Sequence, residues 1–201
     1  MAADLEKLAR QFRASGDNDI AQGVFTWAQV ARERGRETFS EAPVLPEGVI
    51  RLPDLTIGGV KPKELGKLLT ANGHRVSDYA KDLMEKMPTL PDQQTISLVR
   101  TTVSAMGLSG NPTTDQIYER ANELGWNLCP AEVGPHYRLA YKDQPMNEWL
   151  YIGMKQMTGS RGRPSVFRLG RGTVGSWLSA DWAGPGRRWD PRDGFVFSPR
   201  K

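Results

Sequence analysis

The densest set of chemically competent side chains lies between residues 129 and 138. It brings together a thiol, a carboxylate, an imidazole and a phenol, from Cys129, Glu132, His136 and Tyr137. Cys129 could act as a nucleophile with His136 as its general base, the chemistry of a small hydrolase or transferase. Spacing alone proves no contact, and a free Cys is usually a small buried hydrophobic residue. We therefore predict that Cys129 is structural, and treat the four residues as candidate catalytic residues.

Metal and cofactor chemistry find little support in the sequence. The two histidines, His74 and His136, are far apart, and the single Cys leaves no Cys-x-x-Cys motif. Glycines at positions 170, 172 and 175 have the spacing of a dinucleotide fingerprint, but no helix is predicted after them to bind a pyrophosphate. We predict a hairpin turn at these glycines, and neither a metal site nor a cofactor.

Positive charge is concentrated at the C-terminal end of the chain. Residues 155–201 contain ten Lys or Arg and three Asp, a net charge of +7, whereas residues 1–154 contain 17 basic and 20 acidic side chains, a net charge of −3. Eight of the ten cations are Arg, whose planar guanidinium group suits phosphate recognition. Half of the tryptophans, Trp177, Trp182 and Trp189, lie in the same stretch.

This basic and aromatic segment is the second candidate site. Small β-barrels that bind single-stranded nucleic acid combine both ingredients, because bases stack on rings and phosphates pair with guanidinium groups. The segment therefore predicts binding to nucleic acid or another polyanion. The alternative is that the aromatic residues form the core of a small barrel and the arginines its solvated rim. The predicted binding residues are Arg161, Arg163, Arg168, Arg171, Trp182, Arg187 and Arg188.

The elements that must position these residues change character near residue 130. Apolar residues recur at helical spacing before that point, which predicts N-terminal helices over residues 1–35 and a helical domain over residues 61–130. The Pro- and Gly-rich residues 36–60 predict a linker with at most one strand.

Capping residues mark several helix starts. Ser77 and Thr113 both stand where a hydroxyl would cap a helix, and Gln116, three residues after Thr113, completes a capping-box pattern. Asp92 is predicted to cap a further helix, whose apolar face runs from Ile96 to Val103.

After Gly125 the apolar period becomes two, which predicts strands. The strand segments are residues 136–141, 149–157, 166–169, 177–182 and 195–197. A meander or a barrel-like five-strand arrangement would cover one face of such a sheet and protect its edges. The predicted fold class is α+β, with an N-terminal helical region followed by a small antiparallel β-domain over residues 131–201.

Composition indicates an ordinary soluble protein of 201 residues, with 38% hydrophobic and 25% charged side chains. No segment approaches the ~20 apolar residues of a membrane helix, and the amphipathic N-terminus lacks the pattern of a signal peptide. A single Cys can form no internal disulfide, which fits a reducing compartment. We predict a cytoplasmic protein with no membrane partner.

The C-terminal half contains three distinctive sequence segments: Thr113 to Tyr118, the run LCPAEVGP from Leu128 to Pro135, and Phe195 to Phe197. On these segments the chain resembles a set of uncharacterised, hypothetical bacterial proteins. The resemblance implies a bacterial, soluble protein. It implies no activity and no site residues, since none is known for such proteins.

Three classes of function remain open. The first is a binding module whose basic β-domain contacts nucleic acid or another polyanion. The second is a small hydrolase or transferase with its site around Cys129, Glu132 and His136. The third is an interaction module that docks onto a protein or a glycan through exposed Trp. We favour the binding module over the enzyme.

Overall fold

The computed structural model describes residues 45–200, together with Lys7, Arg10, Gln11 and Ala14. The predicted helices of residues 1–35, apart from those four residues, and residues 36–44 of the predicted linker lie outside the described residues. Residues 45–200 belong to a compact unit that begins at Leu45.

Four helices and eleven strands lie within residues 45–200. The helices are α1 (Pro62–Ala71), α2 (Asp78–Lys86), α3 (Thr114–Glu123) and α4 (Val133–Ala140). The strands are β1 (Ile50–Arg51), β2 (Leu55–Ile57), β3 (Arg75–Val76), β4 (Gln94–Ile96), β5 (Val99–Thr102), β6 (Trp126–Asn127), β7 (Trp149–Ile152), β8 (Met157–Thr158), β9 (Pro164–Gly172), β10 (Gly175–Trp182) and β11 (Gly194–Pro199).

Nine of these strands form one mixed sheet in the order β1-β5-β11-β7-β9-β10-β3. The other two strands of this sheet are β6, which pairs with β11, and β8, which pairs with β9. Strands β2 and β4 pair in a separate two-stranded sheet. The pairs β11–β7 and β10–β3 are parallel, and the other pairs are antiparallel. Helix α1 contacts α2 and α4, and both α2 and α4 contact β10.

Strand β11 lies at the centre of the sheet and of the core. Phe195 pairs with Thr101 of β5 on one side and with Tyr151 of β7 on the other. Phe195 and Phe197 are fully buried, and their rings stack with centroids 5.9 Å apart. A continuous apolar run is expected for a strand that has neighbours on both edges and is covered on both faces.

The long hairpin between β9 and β10 confirms the turn predicted from the glycine spacing. Gly172 pairs with Gly175 at the tip and Ser165 pairs with Trp182 at the open end. Gly175 has a φ of 113°, a conformation that favours glycine. Gly172 and Gly175 therefore flank a turn between antiparallel strands, whereas Gly170 lies within β9, where an added Cβ would meet the Trp149 ring.

Two predicted helix starts are confirmed. The Ser77 hydroxyl accepts a hydrogen bond from the Ala80 N–H at the start of α2. Thr113 and Gln116 exchange both bonds of a capping box at the start of α3. These signals are local, so the sequence predicts them without knowledge of tertiary contacts.

The predicted arrangement of the fold is wrong. Strands β1, β3, β5 and β6, all before residue 130, join the same sheet as the strands after it, so within residues 45–200 a helical region is not followed by a separate β-domain. The sheet is mixed and has two edges, β1 and β3, and is neither an antiparallel meander nor a barrel. Strands of two residues are too short to show a period of two, which explains why the sequence pattern missed them.

Residues 136–141 were predicted as a strand, and this prediction is wrong because α4 covers most of them. Val133, Tyr137 and Arg138 are buried, a spacing that places them on one face of a helix. Tyr137 and Tyr141, four residues apart, stack with ring centroids 5.3 Å apart. The alternating apolar residues of this segment therefore fit a helix as well as a strand, because Tyr137 and Tyr141 are four residues apart, the spacing of one helical turn.

The helix predicted after Asp92 is also wrong. Gln94–Ile96 forms β4 and Val99–Thr102 forms β5. In β5, Val99 and Thr101 are buried, and Arg100 and Thr102 are half-buried. Ile, Val and Thr are β-branched and fit a pleated surface better than a helix. Pairing with β1 and β11 then places Val99 and Thr101 in the sheet, despite the three-to-four spacing of the apolar residues.

Candidate functional site

The structure brings together only part of the predicted cluster around Cys129. Cys129 and Glu132 both line a pocket with a volume of about 530 Å³, which we call the Glu132 pocket. It is formed by three segments, residues 86–90, 129–132 and 155–158. His136 and Tyr137 lie further along α4 and do not line this pocket.

Cys129 lies in an environment that suppresses thiol reactivity. Its side chain is buried, and its thiol donates a weak hydrogen bond to the Val196 carbonyl oxygen over 3.6 Å. Burial raises the pKa of the thiol far above its usual range, so the nucleophilic thiolate is disfavoured. Within residues 45–200 no hydrogen bond joins the thiol to His136.

We expect iodoacetamide to modify Cys129 only after the protein unfolds, because the folded state buries the thiol and disfavours the thiolate. Mass spectrometry of protein treated at neutral pH, with and without urea, measures this directly. The chain has a single Cys, so every labelled molecule reports on this position. Complete labelling of the folded protein would contradict the structural role and restore Cys129 as a nucleophile.

Burial also shifts the pKa values of the other three candidate catalytic residues. Burial lowers the pKa of His136, whose Nε2 has no partner among the described residues. Burial raises the pKa of Tyr137. Glu132 is 1% exposed. Burial raises the pKa of its carboxyl group, and a hydrogen bond from the Leu90 N–H lowers this pKa to a smaller extent. Of these three residues, Glu132 is the one that lines the pocket.

The predicted nucleic-acid-binding residues do not share one face. Arg171 donates to the Gln144 carbonyl oxygen at 2.8 Å and Arg188 to that of Asn111 at 3.0 Å, in different places. Arg168 lies three positions before Arg171 on β9, so their side chains leave opposite faces of the strand. The open end of the β9–β10 hairpin holds Arg161, Arg163, Trp182 and Arg187.

A groove at this end collects Arg161, Arg163 and Trp182. It has a volume of about 260 Å³ and we call it the Tyr79–Trp182 groove. Its walls come from α2, from the loop before β9, and from the paired ends of β9 and β10. The lining residues are Tyr79, Asp82, Leu83, Gly159, Arg161, Arg163, Ser165, Ala180, Asp181 and Trp182.

Two aromatic side chains in this groove are open to solvent. Tyr79 is 51% exposed and Trp182 is 45% exposed. The Arg161 guanidinium lies over the Tyr79 ring, 4.2 Å from its centroid. Trp182 packs on Gly184, where an added Cβ would lie 2.8 Å from the indole nitrogen. A glycine at this position therefore lets the indole lie flat beside the backbone.

The two carboxylates of the groove are neutralised by cations. Asp181 pairs with Arg168 at 2.9 Å and with Arg187 at 3.3 Å. Arg187 also donates to the Trp182 carbonyl oxygen and thereby ties the base of the groove to the end of β10. These partly buried pairs compensate the acidic charge without using Arg161 or Arg163.

Asp82 holds the loop before β9 against α2. Its carboxylate accepts hydrogen bonds from the Ser160 hydroxyl at 2.6 Å and from the Ser160 N–H, and pairs with Lys86 at 2.9 Å. These hydrogen bonds, those from Ser160 foremost, lower the pKa of Asp82 to about 2. The loop that carries Arg161 and Arg163 is therefore attached to a helix by charge-assisted bonds at neutral pH.

The three C-terminal tryptophans have different environments. Trp189 is 1% exposed and belongs to the core, Trp177 is half-buried beneath Arg75, and Trp182 is exposed. The sequence could not separate them, because each lies in a segment with both apolar and charged neighbours.

The sequence analysis named Glu132 as a candidate catalytic residue but did not identify it as the buried polar group of an apolar pocket, and it did not identify Tyr79 as a binding residue. The helical spacing of Tyr79 with Leu83 and Met87 predicts that its ring faces inward, and this prediction is wrong because the ring is half-exposed. Glu132 had one available signal, its place between Ala131 and Val133 in an apolar run.

Comparison with known proteins gives no relatives for this chain. No protein-family description, no curated protein and no solved structure matches it. Within residues 45–200 and the four described N-terminal residues, no helix is long and apolar enough to cross a membrane. The same part of the chain gathers no three His, Cys, Asp or Glu side chains that could hold a metal ion.

Proposed function

We propose that this protein binds single-stranded nucleic acid through the Tyr79–Trp182 groove. The observation that carries the proposal is the presence of two half-exposed aromatic rings and two exposed arginines in one groove. Bases of a single strand stack on exposed rings, and guanidinium groups contact the phosphates between them.

The aromatic part of the groove favours unpaired bases. A ring can stack only on a base face that is free of its neighbours, and a duplex offers such faces only at its ends. Tyr79 comes from α2 and Trp182 from β10, so the two rings are fixed by different elements of the fold. Each stacked base contributes about 1–3 kcal/mol with little dependence on its identity.

The charged part of the groove supports binding to phosphates. Five cations surround two carboxylates: Arg161, Arg163, Arg168, Arg187 and Lys86 against Asp82 and Asp181. The excess of positive charge lies at Arg161 and Arg163, because the other cations pair with the carboxylates. Both arginines belong to the segment of residues 155–201, which carries the net charge of +7.

We expect Trp182→Ala to weaken binding to short single-stranded DNA and RNA by about 1–3 kcal/mol, the contribution of one stacked base. Its salt dependence should not change, since no phosphate contact is lost. Arg161→Glu with Arg163→Glu should weaken binding to every sequence and make the slope of log affinity against log salt shallower by about 1.4, or about 0.7 for each phosphate. Fluorescence anisotropy with labelled oligonucleotides at several salt concentrations measures both effects.

Matched controls are available on the same molecule. Trp149 is 43% exposed and also has an arginine over its ring, but it lies outside the groove. Arg192 is exposed and likewise outside it. Trp149→Ala and Arg192→Glu should leave binding near the wild-type level. Equal losses in the groove variants and the controls, or no binding of wild-type protein at low salt, would contradict the proposal.

A further inference from the structure

The Glu132 pocket lies outside the groove assigned to nucleic acid and has its own chemistry. Its volume of about 530 Å³ is within the range of small-molecule sites, roughly 300–1,000 Å³. Its walls are largely apolar and include Leu90, Pro130 and Met157. Two lysines, Lys86 and Lys155, complete it.

Glu132 is the buried polar group of this pocket. Its Oε2 accepts a hydrogen bond from the Leu90 N–H at 3.0 Å, and its Oε1 has no hydrogen-bond partner among the described residues. A buried carboxyl oxygen without a partner is costly, and native structures rarely leave one. The unpartnered oxygen therefore indicates a ligand that exchanges a hydrogen bond with Glu132.

The protonation state of Glu132 decides which ligand this can be. Burial raises the pKa of Glu132, and the other titratable groups that line the pocket are Lys86, Lys155 and the thiol of Cys129. A protonated carboxyl group donates a hydrogen bond through the oxygen that now lacks a partner. The ligand atom that meets Oε1 is then an acceptor.

The lysines define the charge of that acceptor. Lys86 is already held by Asp82 at 2.9 Å and by the Ser160 hydroxyl at 2.8 Å, whereas Lys155 is exposed. A cationic ligand would add a third positive charge and would require Glu132 to stay ionised in an apolar pocket, both of which are unfavourable. An anionic ligand meets complementary charge.

We propose that the Glu132 pocket binds a small monocarboxylic acid with an apolar body. The ligand carboxylate accepts a hydrogen bond from the protonated Glu132 carboxyl group and pairs with Lys155. The apolar body packs against Leu90, Pro130 and Met157. Binding is coupled to uptake of one proton by Glu132.

The test uses octanoate as the probe, with octylamine and octanamide as probes of the same length and different charge. In isothermal titration calorimetry of the full chain we expect octanoate to bind, the amide to bind more weakly, and the amine not to bind. Octanoate affinity should rise by up to about ten-fold for each unit that the pH falls from neutral towards about 5.5, while the ligand itself stays ionised. Stronger binding of octylamine than of octanoate would overturn the proposal.

Substitutions at the pocket separate the two contacts. Glu132→Gln keeps a donor without a titrating group, so it should bind octanoate with no dependence on pH over this range. Lys155→Met should weaken octanoate binding by roughly ten-fold, whereas Lys142→Met, an exposed lysine outside the pocket, should not. Unchanged pH dependence in Glu132→Gln, or equal affinities in the two lysine variants, would overturn the assignment.

A readout on the wild-type chain keeps the test independent of whether the variants fold. Methionine-methyl NMR should show that octanoate shifts the Met157 signal, which a Met157→Leu variant identifies. A titration that shifts other methionine methyl signals and leaves Met157 unchanged would place the ligand elsewhere and overturn the proposal. The oligonucleotide experiment does not depend on this result, because its groove shares no lining residue with the Glu132 pocket.

Discussion

Replacing Trp189 with Ala is expected to lower the free energy of unfolding by about 3–5 kcal/mol, the usual cost of deleting a large buried aromatic side chain. The indole is 1% exposed and lies edge-on against Tyr151 and Phe195, with ring centroids 4.6 Å and 4.8 Å away. Its N–H donates to the Thr114 hydroxyl at 2.9 Å, which joins the segment between β10 and β11 to the start of α3. The variant loses all three contacts and leaves a cavity.

Urea denaturation followed by circular dichroism measures the loss, since fluorescence would report the removed residue itself. Trp182→Ala is the matched control, because its indole is almost half exposed and surface substitutions usually change stability by less than about 0.5 kcal/mol. Equal destabilisation by the two variants would contradict the placement of Trp189 in the core. It would also remove the basis for interpreting Trp182→Ala as a binding variant.

The parts of the fold that the sequence predicts correctly are those encoded locally. A hydroxyl three residues before a Gln is sufficient to start α3, and a glycine at a positive φ is sufficient to turn the β9–β10 hairpin. Both features depend on atoms within a few residues, so no knowledge of distant contacts is required. The strands around Phe167, Leu178 and Phe195 were located for the same reason, since each shows its own apolar pattern.

The failures arise where tertiary contacts override local pattern. Ile96, Val99 and Val103 have helical spacing, yet β1 and β11 recruit Val99 and Thr101 into the sheet. Strand β3 has only two residues and exists because it pairs in parallel with Trp177 and Leu178, a hundred residues along the chain. A parallel pairing of distant residues leaves no mark in a short sequence window.

The candidate sites show the same division. The sequence identified the basic, aromatic segment but not which arginines are free. The side chain of Asp181 neutralises Arg168 and Arg187 only after the hairpin forms. Likewise, Glu132 has an ordinary carboxyl group in the sequence, and its missing partner is visible only once the pocket closes around it.

Alternation along the predicted strand of residues 136–141 would place Arg138 on the face opposite Tyr137 and Leu139, whereas helix α4 buries Arg138 completely. Its guanidinium donates to the Gln144 side-chain oxygen and to the Tyr141 carbonyl oxygen. Gln144 is itself buried and donates to the Glu148 carbonyl oxygen at 3.1 Å and to that of Leu169 at 3.4 Å. Arg138 and Gln144 therefore attach the segment after α4 to the start of β7 and to β9.

We expect Arg138→Ala to lower the free energy of unfolding by about 3–5 kcal/mol, from the cavity together with two acceptors left without donors. Arg138→Met preserves most of the volume, so it should cost only about 1–3 kcal/mol, the penalty of the unpaired acceptors. Urea denaturation of both variants measures the two parts separately.

The double variant Arg138→Met with Gln144→Leu tests whether the polar pair is coupled. Replacing both partners with apolar side chains removes the unpaired Gln144 oxygen, so the double variant should be more stable than the sum of the two single losses implies. A gain of about 1 kcal/mol or more over additivity would show coupling across this buried contact. Strict additivity would contradict the coupled contact. An Arg138→Ala variant as stable as the wild type would mean that the guanidinium lies in solvent, as expected for a strand and not for the buried face of α4.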